Sequence, residues 1–187
     1  MFSQGYRPGA IAALNFSPEE VARLRPGIVC VSLSAYSHAG PWRDKRGFDS
    51  LVQSCSGIVH EQSEGLEGPP RHLPAQILDY VTGYLGAFGA IEALRRRATE
   101  GGSYHVRVSL VQTAHWVKRL GRLAPEHDAR DMPDPTVENV TDLTIETESA
   151  FGRIRHLAPA VTLSETRPFW AQPPVPLGTH EPVWPER

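Results

Sequence analysis

Residues 73–97, LPAQILDYVTGYLGAFGAIEALRRR, carry apolar side chains at Val81, Tyr84, Leu85, Phe88, Ile91 and Leu94, the spacing of a helix, with no proline after Pro74. The carboxylate of this run's first turn, Asp79, falls at or near the N-cap of that helix. A carboxylate there accepts backbone N–H groups and faces the positive end of the helix dipole, which predicts a side chain that stays ionised. Behind it the helix is thinned by Gly83, Gly86 and Gly89, each costing about 1 kcal/mol relative to alanine. Gly83, Gly86 and Ala90 share one side, so the return expected for that cost is close approach, either by a packed neighbour in the core or by a flat ligand. Asp79 is accordingly a helix cap alone or an anionic nucleophile or base beside a narrow slot; the residues leave both open.

Outward from this helix, the chain alternates periodic segments with short turns. SPEEVARLR, 17–25, begins a helix by capping box, with Ser17 at the cap, Pro18 at N1 and Glu20 at N3. GIVCVSLS, 27–34, is a compact β-branched run bounded by turn residues, as a buried strand of a parallel sheet reads. FDSLVQSCSGIVHEQ, 48–62, sets Leu51, Val52, Cys55 and Val59 at helical spacing, and Asp49 is placed to cap its own helix. YHVRVSL alternates over 104–110 after Gly101 and Gly102 and predicts a strand, followed by a helix through SLVQTAHWVKRLGR. This order predicts an α/β layer fold. Near residue 124 prolines and charges take over, so the expected organisation is a body over 1–122 and a Pro-rich linker and extended closing segment over 123–187.

Composition excludes several function classes. A net charge of −2 and a pI near 6.4 leave no electrostatic footprint for nucleic acid, and no basic amphipathic face or long apolar run points to a membrane. Cys30 and Cys55 both lie in apolar segments, predicting buried reduced thiols, and MFSQGYRPG lacks the regions of a signal peptide; a cytoplasmic location is expected. His60 and His72 read as surface or turn histidines; His105, His115 and His127 lack metal-site spacing, and no metal is expected. Arg95, Arg96 and Arg97 read as a cluster capping the helix C-terminus, and Lys118, Arg119 and Arg122 as a solvated face.

YRPGAIAALNFSPEEVARLRPGIVCVSLSAYSHAGPWRDKRGFDSLVQSCSGI, followed by PAQILDYVTGYLGAFGAIEALRRRATEGGSYHVRVSL, resembles the family III CoA-transferases, the CaiB/BaiF group that includes formyl-CoA and carnitine CoA-transferases and acyl-CoA racemase relatives. The linked signals are RPG, the strand running into the SAYSHAGP loop, GFDSLVQ, LDYVTG and the helix into EGG. The resemblance implies a Rossmann-like large domain with a mainly parallel sheet, and coenzyme A as a substrate together with acyl-CoA and carboxylate small molecules. It implies Asp79 as the nucleophile that attacks the thioester, and Arg7 as a basic residue contacting CoA phosphates, a role a guanidinium suits. The SAYSHAGP loop departs from the family's more glycine-rich form at Ala35 and Ser37. The racemase relatives carry a histidine where this chain has Phe48, before Asp49, which disfavours a two-base proton relay.

Full-length members of that family are larger. The expectation is a chain that lacks the first βα units and the usual small domain, and that acts as a homodimer or with its missing half. A catalytically inactive remnant that binds a partner or CoA is the alternative expectation.

Overall fold

The computed structural model describes residues 1–63, 68–124 and 133–183. The chain divides into two units, Met1–Ala124 and Pro125–Arg187. His127 and the last residues of the closing segment, 184–187, lie outside the described residues.

The first unit is built on a parallel sheet of three strands, β1 (Phe2–Gln4), β2 (Val29–Ser34) and β3 (Tyr104–Ser109), in that order. Register runs from Phe2 opposite Cys30 and from Val29 opposite Tyr104. Between β1 and β2 lies α1 (Pro18–Leu24), whose capping box forms as expected: the Glu20 amide donates to Ser17 Oγ at 3.2 Å, and the Ser17 amide to Glu20 Oε2 at 2.9 Å. Between β2 and β3 come α2 (Asp49–Cys55), α3 (Ile58–Gln62) and the 24-residue α4 (Ile77–Glu100); α5 (Leu110–Arg119) follows β3. The helical spacing over 48–62 is broken into α2 and α3 by Gly57, whose φ of 84° a side chain would resist.

Two apolar clusters make the core. Val29, Val31, Ala90 and Ala93, with Tyr104 and Val106 beside them, seal α4 onto one face of the sheet. Leu78, Val52, Ile58, Leu110, Ala114 and Tyr36 form the second, at the junction of α2, α3, α4 and α5. Strand alternation puts Cys30, Ser32, His105 and Arg107 on the other sheet face, where His105 Nε2 lies 3.0 Å from Ser32 Oγ.

The buried stripe of α4 is Leu78, Thr82, Gly86, Ala90 and Ala93. An added Cβ at Gly86 would sit 3.6 Å from Val108 and 3.7 Å from Val31, and one at Gly89 only 2.7 Å from Val106. The return on these two glycines is therefore helix-on-sheet packing, not a ligand slot. Gly83 stands apart: it is exposed with open space around it, so the expected shared face with Gly86 and Ala90 does not include it. Tyr80, Tyr84, Phe88 and Ile91 are 66–72% exposed, forming an apolar stripe on the side of α4 away from the sheet. Cys30 is buried as expected, whereas Cys55 is exposed; both are free thiols.

In the second unit, β4 (Thr144–Ser149) and β5 (Gly152–Leu157) form an antiparallel hairpin, an element not expected in the Pro-rich linker and closing segment. Arg155 pairs with Glu146 at 3.0 Å and Arg153 with Glu148 at 2.9 Å across the strands.

Candidate active site

Asp79 is the third residue of α4, not its cap; Gln76 occupies the cap position and makes no side-chain cap hydrogen bond. The orphan amide of Asp79 is instead received by the carboxylate of Asp49, Oδ2 at 3.0 Å, from the first turn of α2. This corrects the expectation that Asp49 caps its own helix. The side chain of Asp79 is exposed and makes no hydrogen bond to the described residues. Partial burial of its carboxyl and then the like charge of Asp49 push its pKa above the ordinary aspartate value. The direction is the reverse of that expected for a capping carboxylate.

Asp49 is fully buried, and its other oxygen accepts from Gln53 Nε2 one turn on. Gln53, also buried, donates to the Ala75 carbonyl at 3.2 Å and accepts the Leu73 amide at 2.9 Å. Two side chains on α2 thus hold three backbone atoms of the segment entering α4. The role of this pair was not read from the sequence, although polar residues four apart on the buried side of a short helix are a usable signal. One turn beyond Asp79, the hydroxyls of Thr82 and Thr113 meet at 2.6 Å and tie α4 to α5.

A cavity of about 630 Å³ opens at the carboxyl ends of the parallel strands, between Gln4, Ser34, Ser37, His38, Arg107 and Trp116. Tyr6 and Pro8 line it, but Arg7 between them does not, and Asp79 is not on its wall; Leu85, further along α4, is. Arg7 is exposed on the turn after β1. The structure therefore brings the flanks of the RPG turn and the end of β2 to one cavity without bringing Arg7 and Asp79 side chains together on its wall.

Several of the remaining candidates have structural partners. His72 Nε2 lies 3.1 Å from the Ser50 carbonyl and 3.2 Å from Ser54 Oγ, holding its loop to α2, while His60 is exposed on α3. Arg95 and Arg96 pair back to Glu92 at 2.8 Å and Arg97 donates to the Gly27 carbonyl at 3.1 Å, so these arginines are not a simple C-terminal cap. Lys118 is not merely solvated: it donates to the Ser56 carbonyl at 3.0 Å and pairs with Glu61 at 2.6 Å, and Arg122 joins that acid at 3.2 Å. Among the described residues no cluster of three or more His, Cys, Asp or Glu could hold a metal ion, and no helix is long and apolar enough to cross a membrane.

Parallel strands with a cleft at their carboxyl ends place the first unit among open α/β domains. The sequence profile of CoA-transferase family III matches residues 1–151, and the chain belongs to that family. It is 34% identical over 134 residues to the acetyl-coenzyme A transferase nodX of Hypoxylon pulicicidum, covering 68% of this chain and 22% of that one. It is 28% identical over 141 residues to the succinyl-CoA–D-citramalate CoA-transferase of Chloroflexus aurantiacus, covering 67% of this chain and 35% of the relative. Among solved structures, the Rv3272 protein of Mycobacterium tuberculosis superposes with a TM-score of 0.57 at 26% identity, over 66% of this chain and 37% of that one. A CaiB/BaiF family protein from Brucella suis, at 17% identity and a TM-score of 0.56, shares the fold over 81% of this chain and 40% of its own. The chain thus spans well under half the length of these relatives.

Proposed function

We propose that this chain carries the nucleophilic half-site of a CoA-transferase that moves CoA from an acyl-CoA donor to a carboxylic acid acceptor through Asp79. The observation that carries the reading is an exposed carboxylate at a helix mouth, without a hydrogen bond to any of the described residues, while a second aspartate receives the helix's amide. A raised pKa makes the ionised oxygen more basic and so a better nucleophile, provided the pH lies above it.

Asp79 attacks the thioester carbonyl, and the C–S bond breaks to release CoA thiolate and leave a mixed anhydride. The thiolate then attacks the Asp79 carbonyl, expelling the donor carboxylate and leaving CoA bound as an aspartyl thioester. The acceptor carboxylate opens this thioester, regenerating thiolate and a second anhydride. Attack of the thiolate on the acceptor's acyl carbon gives the new acyl-CoA and frees Asp79. No proton or electron is left over in the cycle. The cavity at the strand ends, with the cation of Arg107 and the indole of Trp116 on its wall, is the proposed seat of part of the CoA. Arg7, between two wall residues, is proposed to reach phosphate from the rim. The exposed stripe Tyr80, Tyr84, Phe88 and Ile91 supports assembly with a second polypeptide.

The test is incubation of the full chain with acyl-CoA, followed by hydroxylamine and peptide mass spectrometry. A hydroxamate on the peptide containing Asp79, lost in Asp79→Asn, is expected. Transfer without modification of Asp79, or an adduct that survives Asp79→Asn, overturns the mechanism.

A further inference from the structure

The residues that hold α4 at its mouth come from a helix earlier in the chain, and their connectivity is closed. Leu73 N donates to Gln53 Oε1, Gln53 Nε2 donates to Ala75 O and to Asp49 Oδ1, and Asp79 N donates to Asp49 Oδ2. Both α2 side chains are at most 2% exposed. Such a clasp does more than terminate a helix, because its last link is the backbone of the proposed nucleophile itself.

We propose that Asp49 is a positioning residue for Asp79: its buried carboxylate fixes the first turn of α4 through the Asp79 amide, and its negative charge faces the nucleophile from α2. The inference rests on Asp79 being the nucleophile. A carboxylate oxygen must be aimed at a carbonyl carbon within a narrow cone, so a loosened first turn would be felt directly in the rate. The charge acts in the other direction from a helix dipole, raising the basicity of Asp79. α4 packs against β2, β3, α2 and α5. The ionisable groups on those elements are Cys30, Asp49, Cys55, Tyr104, His105, Arg107, His115, Lys118 and Arg119, and the charge of Asp49 is the one among them that, after burial, raises the Asp79 carboxyl.

Two variants separate the roles. Asp49→Asn keeps an oxygen for the Asp79 amide but removes the charge and turns its amino group toward Gln53 Nε2, a donor facing a donor. Asp49→Ala removes both. The full chain of each, labelled with ¹³C aspartate and ¹⁵N, is followed by NMR for the titration of the Asp79 carboxyl and for hydrogen exchange at its amide.

In both variants the Asp79 titration should move to lower pH. In Asp49→Ala the Asp79 amide should exchange about tenfold faster, the loss of one hydrogen bond, while Ala90 and Ala93 keep their protection. Asparagine should preserve that protection, and if the alanine variant fails to fold, Asp49→Asn with its titration readout decides. An Asp79 titration unchanged in Asp49→Asn overturns the proposal. So does exchange that rises evenly along α4 and the sheet, since that marks a general packing role. Neither readout requires turnover, so absence of the acyl adduct would defeat the nucleophile reading while leaving this measurement intact.

Discussion

Alanine substitutions along the glycine row of α4 should give stability changes of different sign, set by what lies above each position. At Gly83 an added Cβ meets nothing within 4 Å, so alanine gains only the helix propensity difference, about 1 kcal/mol. At Gly86 the methyl group would meet Val108 at 3.6 Å and Val31 at 3.7 Å, ordinary contact distances. Propensity and a buried methyl together should stabilise by about 1–2 kcal/mol. At Gly89 the new carbon falls 2.7 Å from Val106 Cγ1, about 1 Å inside the optimum for two carbons. Val106 is β-branched, stiff at χ1 and held in β3, so it cannot swing aside as a long side chain would. Overpacking of this kind costs about 1–3 kcal/mol and offsets or exceeds the propensity gain, leaving Gly89→Ala about 0–2 kcal/mol less stable than the parent. Urea unfolding of the full chain followed by circular dichroism would measure the three. A cycle with Val106→Ala should show a coupling of at least about 1 kcal/mol, because removing the valine methyls relieves the overlap. Gly89→Ala equal in stability to Gly83→Ala, or strict additivity in the cycle, would refute the packing account of the row.

Other outcomes follow from single contacts. Leu78→Ala, at a fully buried position between α2, α3 and α5, should cost about 2–5 kcal/mol in the same unfolding assay, with loss of cooperativity as a second sign. Ser17→Ala removes half of the capping box and should cost about 1 kcal/mol without affecting any reading of the site. The hydrogen bond from Lys118 and the nearby Arg122 hold Glu61 below its ordinary value of 4.5. Its stabilisation is therefore present above that value and lost as pH falls through the lowered one, and Glu61→Gln should flatten the acid limb of a Tm-against-pH curve. Asp79 has the opposite sign: with its pKa raised, its favourable contribution exists only in acid and disappears as pH rises through the folded value. Asp79→Asn should thus raise Tm at neutral pH relative to the parent, and the difference should vanish in acid.

What was legible in the sequence is what short-range chemistry specifies. The capping box of α1 is written in Ser17, Pro18 and Glu20 and formed as read, and the β-branched run became a central parallel strand because only a doubly flanked position buries Val29, Cys30 and Val31 together. β1 has three residues, too few for any period to show. The hairpin over 144–157 was hidden because its two-residue turn, Ala150 and Phe151, carries no Asn-Gly signal and its strands show charge more than apolar alternation. On α4 the apolar periodicity marked the helix but did not say which of its sides meets the sheet. Close packing against the sheet selected the small residues Gly86, Ala90 and Ala93, and the large ones, Tyr84, Phe88 and Ile91, were left outside. Hydrophobicity alone cannot rank those two stripes; the volume available above β2 and β3 does.

The carboxylate of Asp79 shows the same separation between what is local and what is not. A side chain that accepts the amides of its own helix is held by them, and those bonds lower its basicity, so capping and nucleophilic attack compete for the same lone pairs. Here the competition is removed by assigning the acceptor role to Asp49, 30 residues earlier, whose buried position makes it indifferent to substrate. Among the described residues the oxygens of Asp79 stay unengaged, and its basicity is raised by burial and by that neighbour. From the sequence, Asp49 is one more acid in the first turn of a short helix, and only the crossing of α2 over the mouth of α4 turns it into the partner of a particular amide. The chemistry proposed for residue 79 is therefore a property of two segments brought together by Leu78, Val52 and Leu110. It should fail when their packing is loosened, even with every residue of the LDYVTG motif in place.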